Sequence, residues 1–397
     1  MIWAERAGSL RRGQDLVNDL VFVIATDAPT AVLDALEASA QLGRVLHRET
    51  DRIDLTLEGA EVAVHCRAPQ TAGALLLHLT GSLKHLDRLQ QVAKEQRCLL
   101  DGEGLRRVDD GRRLASTEDG IYAALGLPFI PPELRNEGDE VDAARAGRLP
   151  TLVSRADIRG DLHMHTHWSD GRDSVDAMVS QALALGYEYM AITDHSPSSA
   201  ASRNLSLDDV DRQADAIVSA RERYPQIAIL HGAEVDILPD GRLDFPDRVL
   251  QRFDIVLASL HDRAGHSPAK LMRRYEAAMT HPLVSIITHP MNRSGPERSG
   301  YDLDVDRLFE LAIETGTVLE IDGAPSHLDL DATLARRAVA AGVTLSIDSD
   351  AHRTELLDRH MKLGLLTARR GWVTPANVLN IRPHAELIEF LARKRTG

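Results

Sequence analysis

The stretch "GDLHMHTHWSDG", residues 160–171, places four metal-competent side chains close together: His163, His165, His167 and Asp170. His163 and His165 are two apart, so an extended backbone turns both to the same side. Further candidates follow short apolar runs. His195 comes after "YMAIT" (189–193), and His231 and Glu234 after "AIL" (228–230). His261 closes "IVLASL" (255–260), His289 follows "VSIIT" (284–288), and Asp350 and His352 sit in "DSDAH" after "VTLSI" (343–347). A single histidine at a strand end is ordinarily a core or surface residue. Several independent coincidences of this kind point to metal binding. His163, His165, Asp170, His195, Glu234, His261, His289, Asp350 and His352 are too many ligands for one ion. They suggest two or three ions, with a carboxylate such as Glu234 as a bridge. Imidazole mixed with carboxylate suits Zn, Mn or Fe better than Ca or Mg alone. Clustered metals activate water at neutral pH and clamp the attacking and leaving oxygens of a phosphoester. His167 and His231 lie near the set and are left outside it.

These residues need elements that bring them together. The apolar runs, with "TVLEI" at 317–321, read as buried strands. Helical patterns lie between them, such as "SVDAMVSQALALG" at 174–186, which starts at Ser and stops at Gly. Alternating strands and helices predict a parallel sheet closed as a barrel, whose C-terminal strand ends share one rim. The charged, Gly- and Pro-containing stretch at 135–160 reads as a linker.

The motifs "DLHMHTHWSDG", "AITDHS", "GAEVDILPDG", "ASLH", "THP" and "DSDAH" occur in the order and spacing of the PHP (polymerase and histidinol phosphatase) domain, which the chain resembles over residues 158–397. The resemblance implies a distorted seven-stranded (β/α) barrel, a trinuclear Mn or Zn site (Fe being the third choice), and phosphoester hydrolysis. It implies as ligands the residues set out above, with Glu234 and Asp350 at the reacting centre. Arg293 in "HPMNR" matches the family's "HPTGR" and is expected to orient a phosphate by bidentate contact. "EIDGAPSHLDL" departs from the family's "EINAxPxRLDL": Asp322 stands for Asn and His327 for Arg.

"GSLRRG", "TGS", "GEGL", "IYAALGLPFIPPELR" and "ARRGW" resemble the bacterial family X DNA polymerases that carry a PHP domain. In that family the PHP domain acts as a 3′–5′ exonuclease and phosphatase on DNA ends, in repair. The chain begins inside the polymerase palm, without the helix-hairpin-helix and lyase-like segments expected before it. The resemblance implies a degenerate α+β palm-like domain over 1–105, a remnant of the polymerase C-terminal subdomain plus linker over 106–157, and the PHP domain over 158–397.

The palm departs in its chemistry. Nucleotidyl transfer needs paired carboxylates to hold two Mg²⁺ ions. The family's G-D-[IL]-D reads Asn18-Asp19-Leu20-Val21, so Asp19 keeps its place and its partner is Val21. Asp54 matches the third carboxylate, the aromatic pair before "TGS" is His78-Leu79, and the following Lys is Leu83. Mg at the palm is not expected, and polymerase activity is expected to be absent or vestigial. Ser9, Arg11, Arg12, Asp19 and Asp54 remain as a relic nucleotide site.

Composition sets outer limits. The 397 residues are 43% hydrophobic and 27% charged, with net charge −14. Residues 1–150 hold 18 Lys/Arg against 24 Asp/Glu, so neither half grips nucleic acid by overall charge. There is no basic segment leading into an apolar run and no apolar stretch long enough for a membrane helix. Cys66 and Cys98 form no metal-like pair and fit a reducing cytoplasm. Three functions remain: hydrolysis of DNA ends, a small-molecule phosphatase of the histidinol phosphatase kind, and a non-catalytic module binding DNA ends or nucleotides. The complete ligand set favours the enzymes, and the palm favours DNA.

Overall fold

The computed structural model describes residues 1–39, 43–199, 201, 203–261, 266–295 and 300–396. It divides into two compact units, Met1–Pro150 and Thr151–Gly397.

In the first unit, strands β1 (Trp3–Arg6), β2 (Leu20–Ala25), β3 (Val45–Arg48), β4 (Arg52–Leu57) and β5 (Ala60–Arg67) form one sheet in the order β1-β2-β5-β4-β3. Only β2 and β5 pair parallel. Strands β6 (Cys98–Asp101), β7 (Gly104–Arg107) and β8 (Arg113–Ala115) form a second, antiparallel sheet. The stretch expected to be a linker contains a helix, Asp139–Arg145, in which Glu140, Val141, Ala143 and Ala144 are buried. The sequence signal was hidden because the buried acid is partnered. Glu140 sits 2.7 Å from His85 Nδ1 and accepts the Gly138 N–H. Arg135 is fully buried; it donates to Glu118 at 2.6 Å and to the Ile130 carbonyl at 2.8 Å. Breaking a buried pair strands its partner's charge, so Arg135→Ala is expected to cost about 3–5 kcal/mol. Urea denaturation followed by fluorescence checks this.

The second unit is a parallel barrel. Strands β9 (Gly160–Asp161), β10 (Tyr189–Ile192), β11 (Ala228–Asp236), β12 (Ile255–Ser259), β13 (Ile286–Ile287), β14 (Val318–Asp322) and β15 (Leu345–Asp348) lie in chain order across one seven-stranded sheet. Every connection carries a helix or a long loop, as parallel pairing requires. The helix expected from Ser174 starts there, and Ser174, Ser206, Ser267, Asp304 and Asp331 each accept an N–H from their own first turn. The seam between β9 and β15 is closed by a bridge between Met164 and Ala351 and by Asn380. The Asn380 amide donates to the Gly160 and Ile347 carbonyls.

Alternation along the strands separates two cores. Tyr189, Leu230, Ile255, Leu257, Ile286 and Val318 pack inside the barrel, plugged by Leu387 and Leu391 of the helix His384–Thr396. Met190, Ile229, Ala233, Val256 and Ile321 face the surrounding helices. β11 runs further than the "AIL" read from sequence and continues through His231 and Glu234 to Asp236. With a period of two, Glu234 therefore shares Leu230's inward side, and His231 lies on the opposite one. The inward positions above the apolar plug are polar and fully buried: Glu234, Glu320, Asp322 and Asp348. Among the described residues, no helix is long and apolar enough to cross a membrane.

Candidate metal centre

Nine side chains expected to bind metal gather at the C-terminal ends of these strands. Glu234 lies at their centre. Its Oε1 is 2.9 Å from His289 Nε2 and 3.4 Å from His261 Nε2. Its Oε2 is 2.8 Å from His195 Nδ1, 3.5 Å from His163 Nε2 and 3.6 Å from His165 Nε2. Asp350 Oδ1 is 3.0 Å from His165 Nε2 and 3.6 Å from His163 Nε2. Asp170 Oδ1 joins His352 Nε2 at 3.2 Å and His195 Nε2 at 3.6 Å. His163 Nε2 and His165 Nε2 face each other at 3.1 Å. Two donors each about 2.0–2.1 Å from one ion lie about 3–3.4 Å apart.

The donors fall into groups whose ligand atoms lie within 4.8 Å of one another. One is His163, His165 and Asp350; a second is His165, Asp170, His195 and His352; a third is His195, Glu234 and His261. A fourth joins Asp322, His327 and Asp350. Among the described residues, no such group falls in the first unit. The centre opens into a cavity of about 260 Å³ whose lining includes Asp170, His195, His261, His289, Asp350 and His352.

Divalent ions fit this arrangement. Glu234 Oε2, His165 Nδ1, His195 Nδ1 and His289 Nδ1 are buried without a hydrogen-bond partner. The 2.8 Å approach of His195 Nδ1 to Glu234 Oε2 lacks hydrogen-bond alignment. Buried polar atoms are normally satisfied. Of these, Glu234 Oε2 and His195 Nδ1 face each other, and a shared cation would satisfy both. His289 (φ +29°) and Asp350 (φ +46°) also hold left-handed backbone, which non-glycine residues adopt at an energetic cost.

An outer layer of acceptors orients the rings. Glu320 Oε1 takes the Nδ1–H of His163 at 2.7 Å, and its Oε2 accepts the His289 N–H at 2.8 Å. Asp236 holds His261 Nδ1 at 2.9 Å, and the Asp350 carbonyl holds His352 Nδ1 at 3.0 Å. Each contact leaves the Nε2 lone pair aimed at the centre. Gly171 packs on the same segment: a Cβ there would meet the His165 carbonyl carbon at 2.5 Å.

Charge in the centre follows from burial and neighbours. Burial would raise the Glu234 carboxyl, but His195, His261 and His163 outweigh it and hold it well below the usual range. Burial likewise opposes a charged His163, and Glu320, Asp350 and Glu234 raise it well above an ordinary histidine. His165 is pushed down to about 3 by burial and by His195 and His352. Glu320 is raised to about 8 by burial, against the pull of His163.

Glu320 and Asp236 were not singled out in the sequence. The available signal was the alternation Glu320, Asp322 on one inward strand face. Glu320→Gln keeps the size and removes the charge that orients His163. It is expected to weaken metal affinity about 10–100-fold, measurable by competition with a chromophoric chelator.

Other candidates are placed elsewhere. His231 Nε2 pairs with Gln213 at 3.0 Å, and its ring meets Phe253 edge-on. His167 is exposed and stacks on Trp168. The Arg293 guanidinium is buried and donates to the Leu328 carbonyl at 2.7 Å, while the neighbouring Asn292 lines the cavity. In the first unit Arg11 is engaged by Glu118 at 2.7 Å and by Thr80 at 2.9 Å. Arg12 donates to the Thr80 carbonyl, Ser9 reaches Asp19 at 3.5 Å, and Asp54 is paired with Arg52 at 2.8 Å.

Comparison with known proteins agrees with this architecture. Residues 161–322 match the PHP domain family, and residues 75–136 match the DNA polymerase beta thumb family. The DNA polymerase/3′-5′ exonuclease PolX of Bacillus subtilis (strain 168) is 39% identical over 98% of this chain and 68% of its own length. A protein named "Probable phosphatase" from Caldanaerobacter subterraneus subsp. tengcongensis is 28% identical, covering 51% of this chain and 80% of its own. One so named from Syntrophotalea carbinolica is 29% identical over 51% and 82%. A PHP barrel carrying a polymerase thumb, in a chain related over nearly its whole length to a family X enzyme, makes the chain a member of the bacterial family X DNA polymerase/3′-5′ exonuclease family that carries a PHP domain.

Proposed function

We propose that the protein is a metal-dependent phosphoesterase acting on DNA ends, as a 3′–5′ exonuclease or 3′-phosphatase, and that its polymerase activity is lost or vestigial. The observation that carries the proposal is the convergence of eight donor side chains with a buried Glu234, whose unsatisfied Oε2 faces the unsatisfied His195 Nδ1 at 2.8 Å. In this reading His163, His165, Asp170, His195, Glu234, His261, His289, Asp350 and His352 would hold two or three Mn or Zn ions. The bound ions supply an activated water and offset charge developing on the phosphoryl oxygens. Glu320, Asp236 and the Asp350 carbonyl keep the imidazole rings in the ligating tautomer. Asn292, Ser326 and His327 line the cavity where a phosphoester would enter. Arg293 steadies that rim through its bond to Leu328.

The relative named as a polymerase/exonuclease supports DNA as the substrate, as does the thumb match. Loss of polymerase activity is supported by Val21 in place of a second carboxylate and by Arg11 being spent on Glu118. The relatives named as phosphatases, which match about half of this chain, favour a second reading: hydrolysis of a small phosphoester.

The test is hydrolysis of a 5′-labelled DNA oligonucleotide with Mn²⁺, beside p-nitrophenyl phosphate and histidinol phosphate, with nucleotide incorporation measured in parallel. Stepwise shortening of the DNA without incorporation supports the proposal. Turnover of the small esters alone replaces it with the second reading. No turnover by metal-loaded protein overturns both.

A further inference from the structure

The fourth donor group is not part of the expected ligand set. We infer that Asp322, His327 and Asp350 form an additional divalent-cation position at the edge of the centre, joined to it through Asp350. The inference rests on the reading of the neighbouring residues as a metal centre. Asp322 and His327 are also two of the three places where the sequence departs from the family pattern in this segment, Gly323 for Ala being the third, and the fold brings these two beside one ligand.

Three observations support this position. Ligand atoms of the three residues lie within 4.8 Å of one another, which small side-chain shifts convert to common coordination. Asp322 is fully buried; its Oδ1 accepts the Ala324 N–H at 2.7 Å, and its Oδ2 has no hydrogen-bond partner. A buried carboxylate oxygen left bare is costly unless the group takes up a proton or a cation meets it. His327 is oriented by the same device as His163, His261 and His352. Its Nδ1 bonds to the Arg293 carbonyl at 3.0 Å, leaving Nε2 as the free donor. The ring is held in place by stacking on His289, with centroids 4.6 Å apart. His327 also lines the cavity, so an ion held there would face an entering phosphoester.

Two carboxylates and one imidazole are a donor set for Mn, Zn or Fe rather than for a purely oxygen-seeking ion. Because Asp350 is shared, an ion at this position would lie next to the one served by His163 and His165. The loop carrying His327 would then set how many cations meet the substrate.

The experiment is metal stoichiometry on the full chain. Protein stripped by chelation is dialysed against Mn²⁺ or Zn²⁺ and its metal content measured by inductively coupled plasma mass spectrometry. Wild type is compared with His327→Gln, Asp322→Asn and the double variant. Crystals of the Mn²⁺-loaded wild type are measured at the metal absorption edge. The expected result is one equivalent fewer ions in the double variant, with the remainder retained, and an anomalous peak between Asp322, His327 and Asp350. Equal stoichiometry with no such peak overturns the inference and leaves the main centre standing. Absence of bound metal from the wild type overturns the metal-centre reading itself. The diffraction arm uses no variant, so a misfolded substitution cannot obscure the outcome.

Discussion

His163→Ala is expected to lower phosphoester hydrolysis about 10³-fold or more, equivalent to ~4 kcal/mol of transition-state stabilisation. The reason is geometric. His163 is fully buried, with Nε2 3.1 Å from His165 Nε2 and 3.5 Å from Glu234 Oε2. Removing the ring deletes a donor and strands Glu320, whose Oε1 held His163 Nδ1 at 2.7 Å. No neighbouring side chain can fill the place, because His165 and His289 are committed to Asp350 and Glu234. The measurement is kcat on a labelled oligonucleotide and on p-nitrophenyl phosphate, with bound metal quantified in the same samples. Activity within tenfold of wild type would remove His163 from the ligand set. The variant's melting curve separates loss of chemistry from loss of fold.

The second large effect is on stability. Chelation is expected to destabilise the PHP unit by about 4 kcal/mol for each ion held at about 1,000 times its Kd. The loss should grow with pH, because the stripped centre holds protons where the loaded one holds metal. Glu320 is raised to about 8 by burial, and Asp161 is raised by burial and by the charge of Asp348. Above about pH 4 the unfolded chain has released these protons while the folded chain keeps them. Stability therefore falls as pH rises toward the folded values, by ~1.4 kcal/mol per pH unit for each proton retained. His352 adds in the same direction. Burial disfavours its charge, but Asp350 and Asp170 raise it to about 9, so its contribution is full below about pH 6.5 and is lost on passing pH 9. His165, lowered to about 3 by burial and its histidine neighbours, costs stability only below about pH 6.5. The Asp161 contribution is lost by about pH 7 and that of Glu320 by about pH 8, while that of His352 goes on falling to about pH 9. Scanning calorimetry of loaded and stripped protein at pH 6.5, 7.5 and 8.5 should show a widening gap. A gap that is constant or narrows would contradict the assignment of these buried groups to the metal centre.

Much of the centre is legible in the sequence because strand ends are legible. Apolar runs such as "IVLASL" must be buried, and parallel strands must end on the same rim, so polar residues following those runs share a location. That reasoning reaches His195, His261, His289, Asp350 and His352 without coordinates. It also reaches Glu234, but the end of β11 was misread. The strand continues to Asp236 because its inward side is allowed to be polar, which hydrophobicity alone does not show. The helix Asp139–Arg145 was hidden for a related reason: its buried acid depends on His85, more than fifty positions earlier in the chain.

Other features exist only in three dimensions. A sequence lists Glu320, Asp236 and Asp348 as ordinary acids; the closed barrel makes them fully or nearly buried acceptors beneath the ligands. Arg293 and Arg11 look alike as candidate phosphate contacts, yet the fold turns one to the Leu328 carbonyl and the other to Glu118. Asp322 and His327 are separated by a turn in the chain, and tertiary structure brings them against Asp350. Residue type and strand position therefore determined where chemistry could occur. Closure of the barrel decided which donors face one another, because only closure sets the distances and the burial that give each carboxylate and imidazole its partner.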